Sequence, residues 1–370
     1  MTLASASEQI VIRTDASVEI GTGHVMRCLT LAAGLTEIGA QVRFLCRTHK
    51  GNLIDFIERQ GFAVSPLSTD HAANLSRETS NFPAHAHWLG CDWQTDATAC
   101  RALITDPVGF IIVDHYALDY RWETSLRDKC YRMMCIDDLA DRMHNCDFLL
   151  DQNLGRVEDD YLDIISSETR LFLGPKYALL RPEFVYWRDI SLARRKKPKL
   201  RHILVTMGGV DNKNVSSRVL KILNQYRPET LEQITVVLGP HAPWGSEVNR
   251  LANEMKVATA VLSSVENMAE IMASCDLAIG AGGATTWERC SLGLPAIQID
   301  LAQNQIFINS EINRSGAAIF CNLLDLEQEL VVALQRVSNS DCLRDLSFCA
   351  ATITEGKGLQ EILKAFENLI

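Results

Sequence analysis

The sequence predicts an α/β protein made of two halves, each with its own parallel sheet. Short apolar runs alternate with longer segments in which apolar residues recur every three or four positions, as strands alternate with helices. This alternation starts afresh at residue 201, after a basic stretch that contains proline. In each half, the first strand leads into a glycine turn. We predict a first domain over residues 1–182, a linker over 183–200 and a second domain over 201–370.

A glycine turn follows the first strand of the chain. Residues 10–13 are predicted to form a short buried strand, and the helical periodicity after the turn continues to Gly39. Gly21 and Gly23 have no side chain, so a ligand can approach the backbone closely. The N–H groups that open the helix are unpaired and favour an anion such as a phosphate. We therefore expect Gly21 and Gly23 to bind a phosphorylated substrate.

A histidine stands at the entrance to the same helix, beside the expected anion. The positive end of a helix disfavours imidazolium, which predicts that His24 is neutral near pH 7 and can act as a base. The alternative is a capped turn with an ordinary, partly buried histidine. The turn alone supports both interpretations equally.

Three polar residues follow a strongly apolar strand in the middle of the first half. Residues 110–113 are apolar throughout, which is typical of a strand buried on both faces of a parallel sheet. Ligands gather beyond the carboxyl ends of such strands, where Asp114, His115 and Tyr116 follow. We expect Asp114 and His115 to bind the substrate and Tyr116 to take part in catalysis. The alternative is an aspartate that caps the next helix and a packed tyrosine.

Two other regions of the first half contain residue types that bind metals. His71, His85 and His87 lie in a stretch without a clear period, and no carboxylate or cysteine spacing accompanies them. We predict a surface loop over residues 71–93. The aspartate pair at 137–138 ends another strand, and we favour a helix start over a metal site there.

The composition excludes several classes of protein. A formal net charge of −10 argues against nucleic acid or an anionic membrane as the main partner. No apolar run reaches the ~18 residues that span a bilayer, so we expect no stable membrane insertion, and we find no secretory signal. Twelve cysteines without a CxxC pair indicate neither zinc nor disulfides and fit a reducing cytoplasm. We predict no cofactor and no metal, a monomer or weak homo-oligomer, and a solvated basic run at 194–199.

The second half repeats the arrangement of strand, glycine turn and helix. Residues 202–206 form a strand, Gly208 and Gly209 form the turn, and a helix begins near residue 214. Two such turns predict two similar domains that face each other across a cleft and hold a phosphorylated ligand. Gly208 and Gly209 are therefore expected to bind the substrate.

A third glycine turn follows the strand at 277–279. We expect Gly283, Ala284 and Thr285 to bind phosphate, since glycines permit close approach and threonine can cap the helix or donate to an anion. Glu288, in the first turn of that helix, is suited to accept both hydroxyls of a ribose. Its alternative role is a favourable interaction with the helix N-terminus.

Another helix opens at the same end of the predicted sheet, after the strand at 294–297. Asn304 and Gln305 stand at its start and are further candidates for substrate binding.

The order of these motifs resembles that of a known family. The matching segments are 13–15, 21–24 with Arg27, 114–116, 137–138, 177–181, 207–209 with Asp211 and Asn214, and 304–305. Over its whole length the chain resembles the UDP-sugar hydrolases of pseudaminic acid biosynthesis, which act on UDP-2,4-diacetamido-2,4,6-trideoxy-β-L-altrose. That family has the fold of the GT-B glycosyltransferases, notably the lipid II N-acetylglucosaminyltransferase.

The resemblance implies particular roles. His24 would be the catalytic base, Tyr116 and Asn304 would be active-site residues, and Arg27 would contact the substrate. Uridine and diphosphate contacts would come from the second half, near Gly209 and residues 282–288. The loop at 71–93 and the longer C-terminal tail depart from the shorter members of the family.

We hypothesise that water attacks the anomeric carbon of a UDP-sugar with UDP as the leaving group. His24 takes the proton from water, and the N–H groups of Gly23, Gly208 and Gly209 stabilise the diphosphate. These dipoles make a divalent metal unnecessary. Asp15, at the end of the first strand, either orients His24 or meets a sugar amide.

Two other functions remain open. The first is a glycosyltransferase with the same fold and a UDP-N-acetylamino sugar donor, in which an acceptor hydroxyl replaces water. The second is a UDP-sugar-binding protein without catalysis, which leaves His24 unexplained.

Overall fold

The computed structural model describes residues 8–69, 83–239, 242–301, 305–367 and 369. The chain divides into two compact units. One comprises Met1–Leu179 with Gly358–Ile370, and the other comprises Leu180–Lys357.

The first unit contains a seven-stranded parallel sheet with helices on both faces. Its strands are β1 (Gln9–Thr14), β2 (Gln41–Arg47), β3 (Ala63–Leu67), β4 (Val108–Asp114), β5 (Cys130–Ile136), β6 (Phe148–Asp151) and β7 (Arg170–Leu173). Its helices before residue 180 are α1 (Gly23–Glu37), α2 (Ile54–Arg59), α3 (Trp93–Leu103) and α4 (Tyr120–Ser125). The strand order is β3-β2-β1-β4-β5-β6-β7.

The chain reverses the direction in which strands are added between β1 and β4, and this positions the candidate site. The two strands are neighbours in the sheet, and Thr14 at the end of β1 lies opposite Asp114 at the end of β4. A crevice forms beyond the carboxyl ends of the strands at such a switch point. The segment that follows β1 therefore meets the segment that follows β4.

Alternating residues of the central strands supply two separate cores. Ile10 and Ile12 face the core beneath α1, whereas Val11 faces the core beneath α3 and α4. All seven residues of β4 are buried, as expected for a strand covered on both faces. The strongly apolar sequence of this strand is thus explained by its position in the middle of the sheet.

The second unit contains a six-stranded parallel sheet of order β10-β9-β8-β11-β12-β13. Its strands are β8 (His202–Thr206), β9 (Gln233–Leu238), β10 (Ala258–Ser263), β11 (Leu277–Ala281), β12 (Ala296–Ile299) and β13 (Ala318–Cys321). Its helices are α5 (Pro182–Arg194), α6 (Val215–Gln225), α7 (Gly245–Asn253), α8 (Met268–Ser274), α9 (Thr285–Ser291), α10 (Ile306–Arg314), α11 (Leu326–Val337) and α12 (Ser340–Ile353). As in the first unit, the first strand is central and its neighbour on one side is a later strand.

The last helix, α13 (Gly358–Phe366), belongs to the first unit and not, as predicted, to the second. Its apolar face packs on α1 in the core that also contains Phe110. A Cβ on Gly34 of α1 would lie only 2.8 Å from a methyl carbon of Leu363, so this glycine permits the close packing of the two helices. The apolar periodicity of α13 predicts a helix but does not indicate which sheet it covers.

The stretch predicted as a linker is also structured. Residues 182–194 form α5, whose Phe184 is buried. Arg195, predicted to lie in a solvated basic run, is buried and donates to the carbonyls of Met272 and Cys275 at the end of α8. Burial lowers the pKa of Arg195 to about 10. A cation is stabilised at the carboxyl end of a helix, which accounts for this arginine inside a basic run.

The pair Asp137 and Asp138 does not start a helix, contrary to the prediction. After β5 the chain forms an irregular segment up to β6. Asp137 is buried, where it accepts from the Ala140 N–H and pairs with Arg142 at 2.7 Å. These contacts hold the segment in place without a regular element.

Two further sequence predictions concern disulfides and membranes. All twelve cysteines are free, and ten of them are buried. Within the described ranges, every helix is too short or too polar to cross a bilayer.

Candidate active site

The candidate site lies at the carboxyl ends of β1 and β4. His24 is the second residue of α1, and Asp114 is the last residue of β4. The predicted candidates that follow these strands do meet in space. They meet because the two strands are neighbours in the sheet.

His24 and Asp114 form a hydrogen-bonded pair. The distance from Nδ1 of His24 to Oδ1 of Asp114 is 2.6 Å, and the aspartate is fully buried. Burial alone would raise the pKa of Asp114, but Arg27 and His24 outweigh it and hold the pKa below its usual range. The ionised carboxylate accepts a hydrogen bond from the N–H at Nδ1, which assigns the tautomer and leaves Nε2 to act as a base. Asp114 therefore orients the histidine and does not itself face a ligand.

Arg27 holds the carboxylates of this site in place. Its Nε and Nη2 each donate to Asp114 at 2.6 Å, and Nη1 donates to Asp138. Only 6% of the residue is exposed. A guanidinium whose three nitrogens all donate to carboxylates has few donors left for a substrate. The structure thus places Arg27 behind the site as a positioning residue, whereas the sequence predicted a substrate contact.

Tyr116 packs against the histidine ring. The two ring centroids are 4.5 Å apart and the rings meet edge to face. The hydroxyl of Tyr116 donates to Asp138 at 2.7 Å. Burial and the neighbouring Asp138 raise the pKa of Tyr116, so the side chain stays a phenol. Tyr116 fixes the orientation of the imidazole, and its hydroxyl already donates its hydrogen bond to a protein carboxylate.

Two residues of the loop at 71–93 reach the same place, which the sequence did not predict. Residues 70–82, including His71, lie outside the described ranges, but His85 and Trp88 are described. The ring of Trp88 stacks on Tyr116 with centroids 5.8 Å apart and lies 6.5 Å from His24. The only signal in the sequence was a concentration of histidine and tryptophan in a stretch without periodicity.

Asp15 and His115 lie beneath the site and not in it. Asp15 is fully buried, pairs with Arg13 at 2.6 Å and accepts from the backbone N–H of Arg47. Nε2 of His115 is 3.2 Å from Asp15, while its Nδ1 accepts from the Ala117 N–H. Neither residue has the exposure that substrate binding requires, and Asp114, not Asp15, orients His24. Both support the ends of β1 and β4.

The first glycine turn is open. Gly21 has a φ of +82°, a conformation that favours glycine, and a Cβ at Gly21 or Gly23 would meet nothing within 4 Å. No side chain caps the helix at Thr22. The first N–H groups of α1 therefore remain available to an anion beside His24.

The second glycine turn differs, because the protein fills its own helix terminus. Gly208 has a φ of +80° and is exposed, as predicted for a flexible turn. However, the carboxylate of Asp211 accepts from the N–H groups of Val215 and Ser216, at 2.8 and 2.9 Å. An internal carboxylate thus occupies the start of α6, where the sequence pattern predicts a ligand phosphate. Only the N–H groups of Gly208 and Gly209 themselves remain candidates there.

The third glycine turn is open like the first. Gly283 has a φ of +116° with free space at its Cβ position, and no side chain caps α9 at Ala284. Thr285 is half-buried, whereas the next threonine is fully buried with its hydroxyl bonded to Arg289 and Gln298. Of the two threonines, Thr285 is the one that a ligand can reach.

Glu288 lies in the first turn of α9. Burial raises its pKa to about 7, although Arg181 and Arg289 act in the opposite direction. A buried carboxyl with such a raised pKa is typical of a binding site, in which the hydroxyl groups of a ligand would donate to it.

Gln305, at the start of α10, uses its side-chain carbonyl to accept from the Leu301 N–H at 3.1 Å. Asn304 lies outside the described residues.

One group of residues in the described ranges has the composition of a metal site. Glu123, Cys135 and His144 bring their ligand atoms within 4.8 Å of one another, and all three are buried. Glu123 accepts from Nδ1 of His144 at 2.7 Å and from the Cys135 thiol at 3.2 Å. Glu123 thus accepts from both other side chains, which form a buried hydrogen-bond network, whereas the buried Nε2 of His144 has no hydrogen-bond partner among the described residues.

Residues 202–345 match the glycosyltransferase family 28 C-terminal domain. The crystal structure of MurG from Acinetobacter baumannii superposes with a TM-score of 0.66 at 14% identity, over 98% of this chain and 99% of that one. The chain has the GT-B fold. The GT-B prediction made from the sequence is thereby confirmed.

Two other relatives are more similar to this chain in sequence than the MurG structure is. An uncharacterized protein of Methanocaldococcus jannaschii is 27% identical over 80% of this chain and 56% of its own length. The UDP-2,4-diacetamido-2,4,6-trideoxy-beta-L-altropyranose hydrolase of Campylobacter jejuni is 26% identical over 57% of this chain and 64% of its own length. The chain thus matches less than two thirds of each relative. The resemblance to this hydrolase that the motifs indicated is confirmed.

Proposed function

We propose that this GT-B protein hydrolyses a UDP-linked 2,4-diacetamido-2,4,6-trideoxy sugar to UDP and the free sugar, as a cytoplasmic step of pseudaminic acid biosynthesis. The observation that carries the proposal is the pair of His24 and Asp114. Its geometry leaves one imidazole nitrogen as a base, and it lies beside an open, positively polarised helix terminus. The hydrolase from Campylobacter jejuni, similar to this chain, supplies the substrate class.

In the proposed reaction, Nε2 of His24 takes a proton from a water molecule as the water oxygen bonds to the anomeric carbon. The bond between that carbon and the diphosphate oxygen breaks, and its electron pair leaves with UDP. Asp114 stabilises the imidazolium that forms, as in other histidine–aspartate pairs. General-base help of this kind typically contributes ~10²–10⁴ in rate.

Backbone N–H groups would stabilise the leaving diphosphate. The starts of α1 and α9 both lack a capping side chain. Donors that are fixed before the reaction stabilise developing charge at little reorganisation cost. The N–H of Gly21 already donates to the carbonyl of Ser17 at 2.9 Å, so Gly21 would allow close approach of the substrate without supplying a donor. We propose that Gly21 and Gly23 in the first unit, and residues 283–285 in the second, contact anionic groups of the substrate without a metal, and that the N–H donors of the first unit start at Gly23.

Further substrate contacts would come from the second unit. Glu288 would accept the ribose hydroxyls of the uridine. The N–H groups of Gly208 and Gly209 would contact the diphosphate, and Asn304 and Gln305 would contact the sugar.

A glycosyltransferase is the second candidate, because residues 202–345 match a glycosyltransferase domain. It would use the same donor and the same base, with an acceptor hydroxyl in place of water. The two functions differ in what happens to a UDP-sugar when no acceptor is present.

The test is incubation of the protein with UDP-2,4-diacetamido-2,4,6-trideoxy sugars in ¹⁸O-water without acceptor, followed by NMR and mass spectrometry. We expect one free sugar per UDP, with the label in the sugar. Little free sugar would support the transferase, and label in UDP would mean attack on phosphorus. Tight binding without turnover would indicate a binding protein.

A further inference from the structure

We propose that Trp88 is a specificity-determining residue that stacks on the apolar face of the substrate's sugar ring. The proposal rests on the proposed function, because it assumes that a sugar reacts at His24. We use the name aromatic wall for His85, Trp88 and Tyr116.

The three rings of the aromatic wall support one another. Trp88 stacks on Tyr116 with an interplanar angle of 25°, and His85 lies 4.3 Å from Trp88 and 5.6 Å from Tyr116 between ring centroids. Tyr116 is in turn fixed by its bond to Asp138. Two neighbouring rings thus contact the indole and fix its orientation. A ring that is already fixed loses little conformational freedom when a ligand stacks on it.

Trp88 differs from the structural tryptophans of the protein. Trp122 and Trp287 are large core side chains with 0% and 1% exposure. Trp88, by contrast, is half-buried and belongs to no core cluster, although it lies beside the buried His24 and Tyr116. A large aromatic surface left partly open beside a reactive histidine is a typical binding surface.

The distance between His24 and Trp88 allows a sugar that reacts at the base to contact this surface. A water that reacts must lie about 3 Å from Nε2 of His24 and about 3 Å from the anomeric carbon. The indole centroid is 6.5 Å from the imidazole centroid. The two rings are therefore close enough for one sugar ring to react at His24 and to contact Trp88.

The chemistry of the wall selects the kind of sugar. Burial lowers the pKa of His85, so the wall carries no formal charge at neutral pH and favours a neutral ring over a phosphate. Indole contacts C–H groups and methyl groups well, whereas a hydroxyl pressed against it loses hydrogen bonds to water. We infer that the wall favours a 6-deoxy sugar over the analogue with a 6-hydroxyl group.

The test compares Trp88→Ala and Trp88→Phe with the unaltered protein, using a UDP-6-deoxy-diacetamido sugar and UDP-N-acetylglucosamine. We expect Trp88→Ala to raise KM for the 6-deoxy sugar about 3–10-fold with a smaller change in kcat, as the loss of one aromatic contact predicts. Trp88→Phe should recover most of the affinity. The preference for the 6-deoxy sugar should shrink in Trp88→Ala.

Trp93→Phe is the matched control. Trp93 is half-buried in the same unit, and its described ring contact is with the guanidinium of Arg121, not with His24 or Tyr116. Its KM should stay within twofold of the unaltered value. Thermal unfolding of each variant then separates loss of substrate contact from loss of the fold.

A binding measurement distinguishes failure of this inference from failure of the proposed function. Calorimetry with UDP and with UDP-sugar needs no turnover. If Trp88→Ala weakens UDP-sugar binding and leaves UDP binding unchanged, the wall contacts the sugar even in a protein that does not hydrolyse it. Equal KM, equal affinity and equal sugar preference in Trp88→Ala and the unaltered protein would overturn the inference.

Discussion

The starts of α1 and α6 follow the same sequence pattern of strand, glycine turn and helix, yet different groups meet their first N–H groups. At α1 no side chain caps the helix, and His24 stands beside the open donors. At α6 the carboxylate of Asp211 accepts from two of those donors. The first helix start therefore suits a ligand anion, while the second is already neutralised by the protein.

This difference shows that a glycine turn before a helix predicts that some group can approach the backbone closely. It does not predict whether that group is a ligand or a side chain of the protein. The deciding residue in the second unit is an aspartate placed four positions before the first residue of the helix whose N–H it accepts. An aspartate near a helix start is therefore a competitor for any phosphate proposed there.

The largest expected effect tests the assignment of chemistry to the first helix start. His24→Ala should lower kcat by about 10²–10⁴, because the general base is removed, and should leave UDP binding intact. Steady-state kinetics and calorimetry measure the two quantities. Turnover at the unaltered rate would remove His24 from the mechanism.

The next effect concerns the carboxylate behind that histidine. Asp114→Asn should lower kcat about 10²-fold, since the amide can hold His24 in the wrong tautomer. It should also reduce the free energy of unfolding by about 3 kcal/mol or more, because Arg27 loses a buried partner.

The stability difference at Asp114 should depend on pH. The folded-state pKa of Asp114 is depressed, so its contribution is present above about pH 4 and is lost as the pH falls towards the folded value. Urea unfolding curves of the two proteins should therefore converge in acid. Asp128→Asn, an exposed partner of Arg101 in the same unit, is the control and should change neither quantity. Parallel curves at every pH would contradict the pairing.

A smaller effect tests the filled helix start directly. Asp211 has a φ of +49°, so glycine removes its carboxylate without backbone strain. Asp211→Gly should lower the free energy of unfolding by only a few tenths of a kcal/mol, because glycine is well tolerated at this position. Sulfate should then stabilise the variant more than the unaltered protein, because the freed N–H groups bind an anion. Asp325→Ala, at the start of α11 where the side chain makes no cap, should lie within about 0.5 kcal/mol of the unaltered protein. Equal responses to sulfate would remove the interpretation of Asp211 as an anion substitute.

The smallest effect concerns the third turn. Glu288 has a pKa of about 7 in the folded protein, raised above its unfolded value. Its ionisation therefore lowers the free energy of unfolding as the pH rises from the unfolded pKa to about 7. Over that range, Glu288→Gln should become more stable relative to the unaltered protein. If the carboxylate accepts the ribose hydroxyls, UDP affinity should rise severalfold between pH 6 and 8, and Glu288→Gln should show no such rise. An unchanged pH profile in the variant would exclude the ribose contact.

The sequence was sufficient to predict the strands and helices, because the spacing of apolar residues along the chain distinguishes them. The alternation of apolar runs and helical periods gave both parallel sheets. The rule that ligands gather beyond strand ends predicts that His24, Asp114 and Tyr116 lie at the same edge of the first sheet. For these residues, topology converts sequence position into spatial position.

The remaining features depend on tertiary contacts without a local signal. Trp88 lies in a short 3₁₀ helix (Ala86–Leu89), and nothing in its spacing shows that it folds against Tyr116. Arg195 lies in a run of basic residues but is buried against carbonyls distant in sequence. Asp114 and Arg27 have the residue types of ligand contacts, and only their mutual pairing shows that they act through His24.

The position of α13 has a consequence for how the chain matures. The core of the first unit includes Phe366 beside Phe110, and residues 180–357 lie between these two parts of one core. During synthesis the N-terminal half emerges first, but it cannot complete its packing until the final helix has left the ribosome. The second unit, whose whole sequence is available earlier, is therefore free to finish folding first, and a nascent chain that is cut short before residue 358 leaves an apolar surface on α1 uncovered.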